Sequence, residues 1–181
     1  MSEKTISEFK LRQFVDNDSK ELVNLKNALY PDHPLSLVSF HHHEKTREDK
    51  IQHKHWVMQK KNTIFCSALY TQWMDCYHPH KFVIKIDVHP ENQGQGIGTF
   101  CYDFLLKKLE PLSPIKISAH VYEPHTHSVR FLENRNFKNT FKEQESSLDL
   151  TAYDPKLYEN KLYSVLQQGF RIITLSEFRK E

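Results

Sequence analysis

Glycine is scarce in this chain. There are four in 181 residues, and three of them, Gly94, Gly96 and Gly98, fall within VHPENQGQGIGTF, residues 88 to 100. Cysteine is scarcer still: Cys66, Cys76 and Cys101 are odd in number and unpatterned, with no CxxC pair. That excludes a disulfide framework and fits free thiols in a reducing, cytoplasmic setting. Long apolar runs are absent. Nothing approaches the roughly 18 consecutive apolar residues that span a bilayer, and MSEKTISEFKLRQF has no apolar stretch behind a basic flank, so neither membrane insertion nor export is expected. Excess charge of one sign is missing too: a net charge of +2 and pI near 8.3 are too mild to indicate a nucleic-acid surface.

Large core-forming side chains are plentiful, with twelve Phe and eight Tyr in a chain that is 38% apolar. A length of 181 residues suits one globular domain without staples. Residues 8 to 14 alternate as a first strand, and DNDS starts a helix that Pro31 ends. LSLVSFHHHEKTREDKIQHKH is expected to be a solvated helix. Strands are expected at 56–59 and 63–70 around a Lys60-Lys61-Asn62 turn, and at KFVIKIDV, 81 to 88, where Lys85 and Asp87 need polar surroundings. A helix follows the glycines, with Phe100, Phe104, Leu105 and Leu109 on one face. Then come a strand at 115–121, a helix at 127–136, a charged strand in FKNTFKEQESSLDL, a helix ending at Gly169, and a last strand in FRIITL. The pattern is mixed α/β.

Strand, glycine turn and helix in that order suit a phosphate, because glycines let successive N–H groups converge where the helix adds partial positive charge. Spacing separates the alternatives. A P-loop needs Lys-Ser or Lys-Thr after its last glycine, and none follows; the dinucleotide fingerprint needs a third glycine where Thr99 stands. Gln93-Gly94-Gln95-Gly96-Ile97-Gly98 instead resembles the Gln/Arg-x-x-Gly-x-Gly/Ala signature of the GNAT N-acetyltransferase superfamily, and SVRFLENRNF, 128 to 137, is similar to its second signature. Asn136 stands where that signature has glycine, and Asn tolerates the left-handed conformation a helix end demands.

The resemblance implies a mixed, mostly antiparallel central sheet flanked by helices, one domain over 1–181, and a closing strand-helix-strand at 142–181. That last region is similar to the end of the first half of a tandem GNAT protein, which would leave a surface suited to a homodimer. It implies acetyl-CoA as co-substrate, a small-molecule or peptide amine as acceptor, direct transfer, and no metal, nucleic acid or membrane partner. Cofactor contacts would come from Ile86, Val88, Gln93, Gly94, Gln95, Gly96, Ile97, Gly98, Thr99, Ser128 and Phe131. The tyrosine acid common in the family is replaced by Leu132. Glu123, Asp87 and Tyr122 are the catalytic candidates, with His120, Tyr102 and Tyr153 as further possibilities. A non-catalytic acyl-CoA-binding module is the alternative. His41-His42-His43 with His53 and His55 raise metal binding, but consecutive histidines splay around a helix and do not converge.

Overall fold

The computed structural model describes residues 11–180. They divide into two compact units, through Lys138 and from Asn139 onward.

In the first unit β1 (Leu11–Gln13) is followed by α1 (Ser19–Leu29) and α2 (Leu37–Lys45), then β2 (Lys54–Lys60), β3 (Thr63–Thr71) and β4 (Lys81–Val88). The glycine loop leads into α3 (Ile97–Leu109), then β5 (Lys116–Ser118) and α4 (Thr126–Glu133). Among the described residues the sheet has five strands in the order β1-β2-β3-β4-β5. The first three pairings are antiparallel and β4 with β5 is parallel. The expected mixed, mostly antiparallel sheet is therefore present. Residues 8–10 of the expected first strand lie outside the described residues.

Two apolar layers sandwich the sheet. On one face Phe82, Ile84, Ala68, Cys66 and Met58 pack with Ile97, Cys101, Leu105 and Leu109 of α3. On the other, Val57 and Ile64 pack with Leu22, Val23 and Leu25 of α1 and Phe40 of α2. Each fully buried Leu or Phe contributes about 1.5–3 kcal/mol. Both faces of β3 are buried, which suits its central place. Asp18 fixes the β1–α1 junction by accepting two hydrogen bonds of 2.7 Å from Arg12 and one of 2.9 Å from the Val15 N–H. That guanidinium holds the Asp18 carboxyl below its ordinary range despite the opposing effect of burial.

Several sequence expectations need correction. The helix expected across residues 35–55 stops at Lys45; Phe40 is its one buried apolar residue, and residues 46–50 directly beyond it bury no side chain to extend an apolar face. The strand expected at 115–121 pairs only over Lys116–Ser118, after which the chain leaves the sheet. Among the described residues the closing strands expected within 142–181 are not formed. The second unit contains the helical turn Pro155–Tyr158, α5 (Glu159–Gln167) and α6 (Leu175–Phe178), and its segments 137–150 and 170–174 join no ladder. Apolar alternation proposes a strand, but an unpaired strand leaves its N–H and C=O groups without partners.

Candidate functional site

β4 outruns its neighbour. Its pairing with β5 covers Lys81–Val83, yet β4 continues to Val88, so among the described residues one edge from Ile84 onward has no strand beside it. Ile86 and Val88 lie on this free stretch and pack against the α3-side core. Beyond it the chain makes a tight turn at Pro90–Asn92 and enters the glycine loop.

Gly94 and Gly96 have φ of +72° and +78°, a left-handed geometry that favours glycine. An added Cβ at either would meet open space, so conformation and not crowding is what requires glycine there. Gly98 differs: its Cβ would lie 3.4 Å from the Phe131 ring, so glycine lets α4 approach α3 closely. Gln93 Nε2 donates to the Val88 carbonyl at 2.9 Å and Gln95 Nε2 to that of Glu91 at 3.3 Å, bracing the loop. Gly96 caps α3 with no side chain to satisfy its first turn. Among the described residues, the backbone N–H groups of Gly94, Gln95, Gly96, Ile97, Gly98 and Thr99 have no hydrogen-bond acceptor, the helix's own bonding starting with Phe100 N–H to Gly96 C=O at 3.0 Å. Six successive donors without acceptors at a helix N-terminus are an arrangement suited to an anion.

α4 closes the side of this loop. Ser128 is in its first turn and Phe131 faces Gly98, while Tyr102 of α3 meets the Phe131 ring edge-on at 6.1 Å. Asn136 takes φ +62°, and the Phe137 N–H reaches back to the Leu132 carbonyl at 3.1 Å, so asparagine does perform the glycine's role at this helix end.

On the opposite face of β4 the Asp87 side chain is buried and engaged. It accepts from Lys26 Nζ and from the Tyr30 hydroxyl, each at 3.2 Å, and Lys85 Nζ lies 3.9 Å away. Burial, then the Asp87 charge, push the Tyr30 hydroxyl above its ordinary range, so it keeps its proton and donates. Burial lowers the pKa of Lys85, whose ammonium sits 4.9 Å from the Tyr30 ring centre. Next to this cluster is a cavity of about 130 Å³ walled by Tyr30, His33, Tyr122 and His125. Tyr122 stacks on His33 at 5.5 Å, and His125 on Tyr30 at 5.8 Å. Glu123 is exposed in the turn between Tyr122 and Pro124. Of the three catalytic candidates, Asp87 and Tyr122 are thus brought to one cluster through Tyr30.

His120 instead packs edge-on against Trp73, and Tyr153 stacks on Tyr158 in the second unit. His53 and His55 lie on the α1 side of the sheet, 6.0 Å apart, with His55 stacked on Phe14. Among the described residues no group of three or more His, Cys, Asp or Glu is placed to hold a metal ion, and no helix is long and apolar enough to cross a membrane. Sequence reasoning missed Lys26, Tyr30, His33, His125 and Arg135. For Arg135 one signal existed, its i,i+4 spacing from Phe131 in a stretch expected to be helical, though α4 ends at Glu133.

A family model described as the acetyltransferase (GNAT) family matches residues 20–137. No curated protein sequence matches significantly. Among solved structures the chain is similar to an N-acetyltransferase from Staphylococcus aureus Mu50, at 15% identity and TM-score 0.61 over 74% of this chain and 85% of that one. It is similar to a Trypanosoma brucei acetyltransferase at 22% identity and TM-score 0.56, over 78% and 99%. A transcriptional regulator from Bacillus halodurans C-125 aligns at 16% identity and TM-score 0.61, over 77% and 99%. At such identities the likeness carries the fold, a mixed sheet flanked by helices.

Proposed function

The chain belongs to the GNAT acetyltransferase family, and on that premise we propose that it moves an acetyl group from acetyl-CoA directly to a primary amine. The observation that carries this reading is the run of six unpaired N–H groups from Gly94 to Thr99, directly after the unpaired edge of β4. The run suits a pyrophosphate, whose oxygens would complete the first turn of α3. The free edge suits the amide-bearing arm of the coenzyme, added as a strand would be. Ile86 and Val88 would flank that arm, and Phe131 and Ser128 would bound it from α4.

Direct transfer requires a neutral amine, a carbonyl placed within its reach and a route for the proton. In this reading the amine enters beside Tyr30 and Tyr122, where ring faces favour a cation before it loses its proton. Asp87, held by Lys26, keeps Tyr30 oriented; Glu123 is the more accessible base candidate and Tyr122 the acid candidate. Nitrogen attacks the thioester carbonyl, the C–S bond breaks, and the thiolate leaves as the free thiol of CoA after taking up a proton. The replacement of the customary tyrosine by Leu132 favours a second reading, an acyl-CoA-binding module without catalysis.

Two measurements test the proposal. Acetyl-CoA should raise the melting temperature saturably, by the equivalent of about 2.7 kcal/mol at a hundred times its Kd, while ATP and NAD do not. Gly96→Glu should abolish that shift in a folded protein, since it adds both bulk and negative charge at the cradle. Absence of any acetyl-CoA shift in the wild type would defeat both readings. Thiol release across a panel of amines then separates enzyme from module.

A further inference from the structure

Arg135 follows α4 and is half-buried. Its guanidinium carbon lies 3.6 Å from the Phe131 ring centre and 5.0 Å from that of Tyr102. One terminal nitrogen donates to the Phe131 carbonyl at 3.0 Å and the other to Thr99 Oγ1 at 2.8 Å. Two aromatic rings and two hydrogen bonds thus hold one cation against the first turn of α3. Among the described residues no ion pair joins it to a carboxylate. These contacts hold it against an electrostatic cost: a helix N-terminus is the end where a positive charge is unfavourable, and the adjacent Gly94 to Thr99 donors are themselves without acceptors. A guanidinium carries five N–H donors, and the two bonds to Phe131 and Thr99 leave donor capacity unused. An anion placed against both the donors and the guanidinium resolves the conflict of like charges and uses that capacity.

We propose that Arg135 is the charged member of the coenzyme clamp, pairing with a phosphate of CoA beside the first turn of α3 and so setting the preference for phosphorylated acyl carriers. The inference rests on the acetyl-CoA reading above and adds to it a side chain that the glycine signature does not include. Backbone donors accept any suitably shaped anion, whereas a planar guanidinium adds charge and paired-donor geometry suited to phosphate. Stacking on Phe131 and Tyr102 limits the rotamer freedom lost on binding, so the cation is preorganised.

The test is calorimetric titration of CoA into the wild type, Arg135→Gln and Arg135→Lys at low and high salt, with apo melting temperatures as the folding control. Arg135→Gln is expected to weaken CoA about ten- to a hundredfold, the range of one charge-assisted contact. Its affinity should also depend less on salt, because one screened pair is gone. Arg135→Lys should recover part of the loss, which a purely structural role would not predict. Where turnover is measurable, the apparent KM for acetyl-CoA rises and kcat does not fall. Dephospho-CoA identifies the partner: a loss that persists with it assigns the pyrophosphate, and a loss that disappears assigns the 3′-phosphate. If Arg135→Gln does not fold, Arg135→Met, which keeps an aliphatic stem over Phe131, takes its place. CoA affinity and salt dependence equal to the wild type's in a folded variant would overturn the proposal while leaving the acetyl-CoA reading intact. Failure of the wild type to bind CoA at all would defeat that reading first.

Discussion

Stability of the first unit should fall steeply on mild acidification, and two histidines set the slope. Burial lowers the pKa of His53 to about 4 and of His55 to about 3, against an ordinary 6.5. Arg47 adds to the effect at His53 and Lys26 at His55, while Glu44 opposes both. Both ring nitrogens of His53 are buried without a hydrogen-bond partner. Among the described residues the ring of His55 has a single hydrogen-bond partner, the Ser67 hydroxyl at 3.2 Å. The unfolded chain therefore binds protons below pH 6.5 that the folded chain refuses, and stability rises with pH. The contribution is complete above about pH 6.5 and is lost as pH falls toward the folded-state values. Between those limits two protons are taken up on unfolding, giving a slope of about 2.7 kcal/mol per pH unit and a loss of about 4 kcal/mol between pH 8 and pH 5. His53→Phe should halve the slope. It should cost less than about 1.5 kcal/mol at pH 8, because it replaces an unsatisfied ring by an apolar one of similar shape. Urea titrations followed by tryptophan fluorescence read this unit alone, since both tryptophans, Trp56 and Trp73, lie in it. A flat wild-type profile from pH 8 to 5, or an undiminished slope in His53→Phe, would refute the reasoning.

Lys26→Met should cost about 3 kcal/mol, because it strips the main partner from a carboxylate whose side chain is 1% exposed. Adding Asp87→Asn should recover most of that in the same urea assay, and a cost near zero would mean that Lys85 alone neutralises Asp87. Cysteine labelling should count one reactive thiol in the native protein, Cys76, and three in denaturant. Cys66 and Cys101 are buried with their sulfurs 3.5 Å apart, and their contact with burial pushes the Cys66 thiol far above its usual range. Native labelling of Cys101 would indicate that α3 detaches from β3.

What could be read from the sequence was local. The bounds of β4 coincide with KFVIKIDV because a strand buried on both sides writes its own apolar run. The requirement that Lys85 and Asp87 find polar company was legible, but its answer was not: Tyr30 is 57 residues from Asp87 and Lys26 is 61. The glycine loop was legible because positive φ and close packing both select glycine. The contact of Arg135 with Phe131 had an i,i+4 signal, but its bond to Thr99 had none, since that residue lies 36 positions away. Past Lys138 the alternation in FRIITL indicated extended chain, yet a ladder depends on a neighbour that the segment itself does not specify.

The bare cap of α3 has a cost and a use. A serine or aspartate at position 96 would be strained at φ +78°, and its oxygen would take the same hydrogens a ligand needs. Glycine leaves that contact to whatever arrives. The first turn of α3 is thereby left open, and a bound anion should register as added thermal stability. Receptivity and self-sufficiency compete here for one set of N–H groups, and the sequence sides with the visitor.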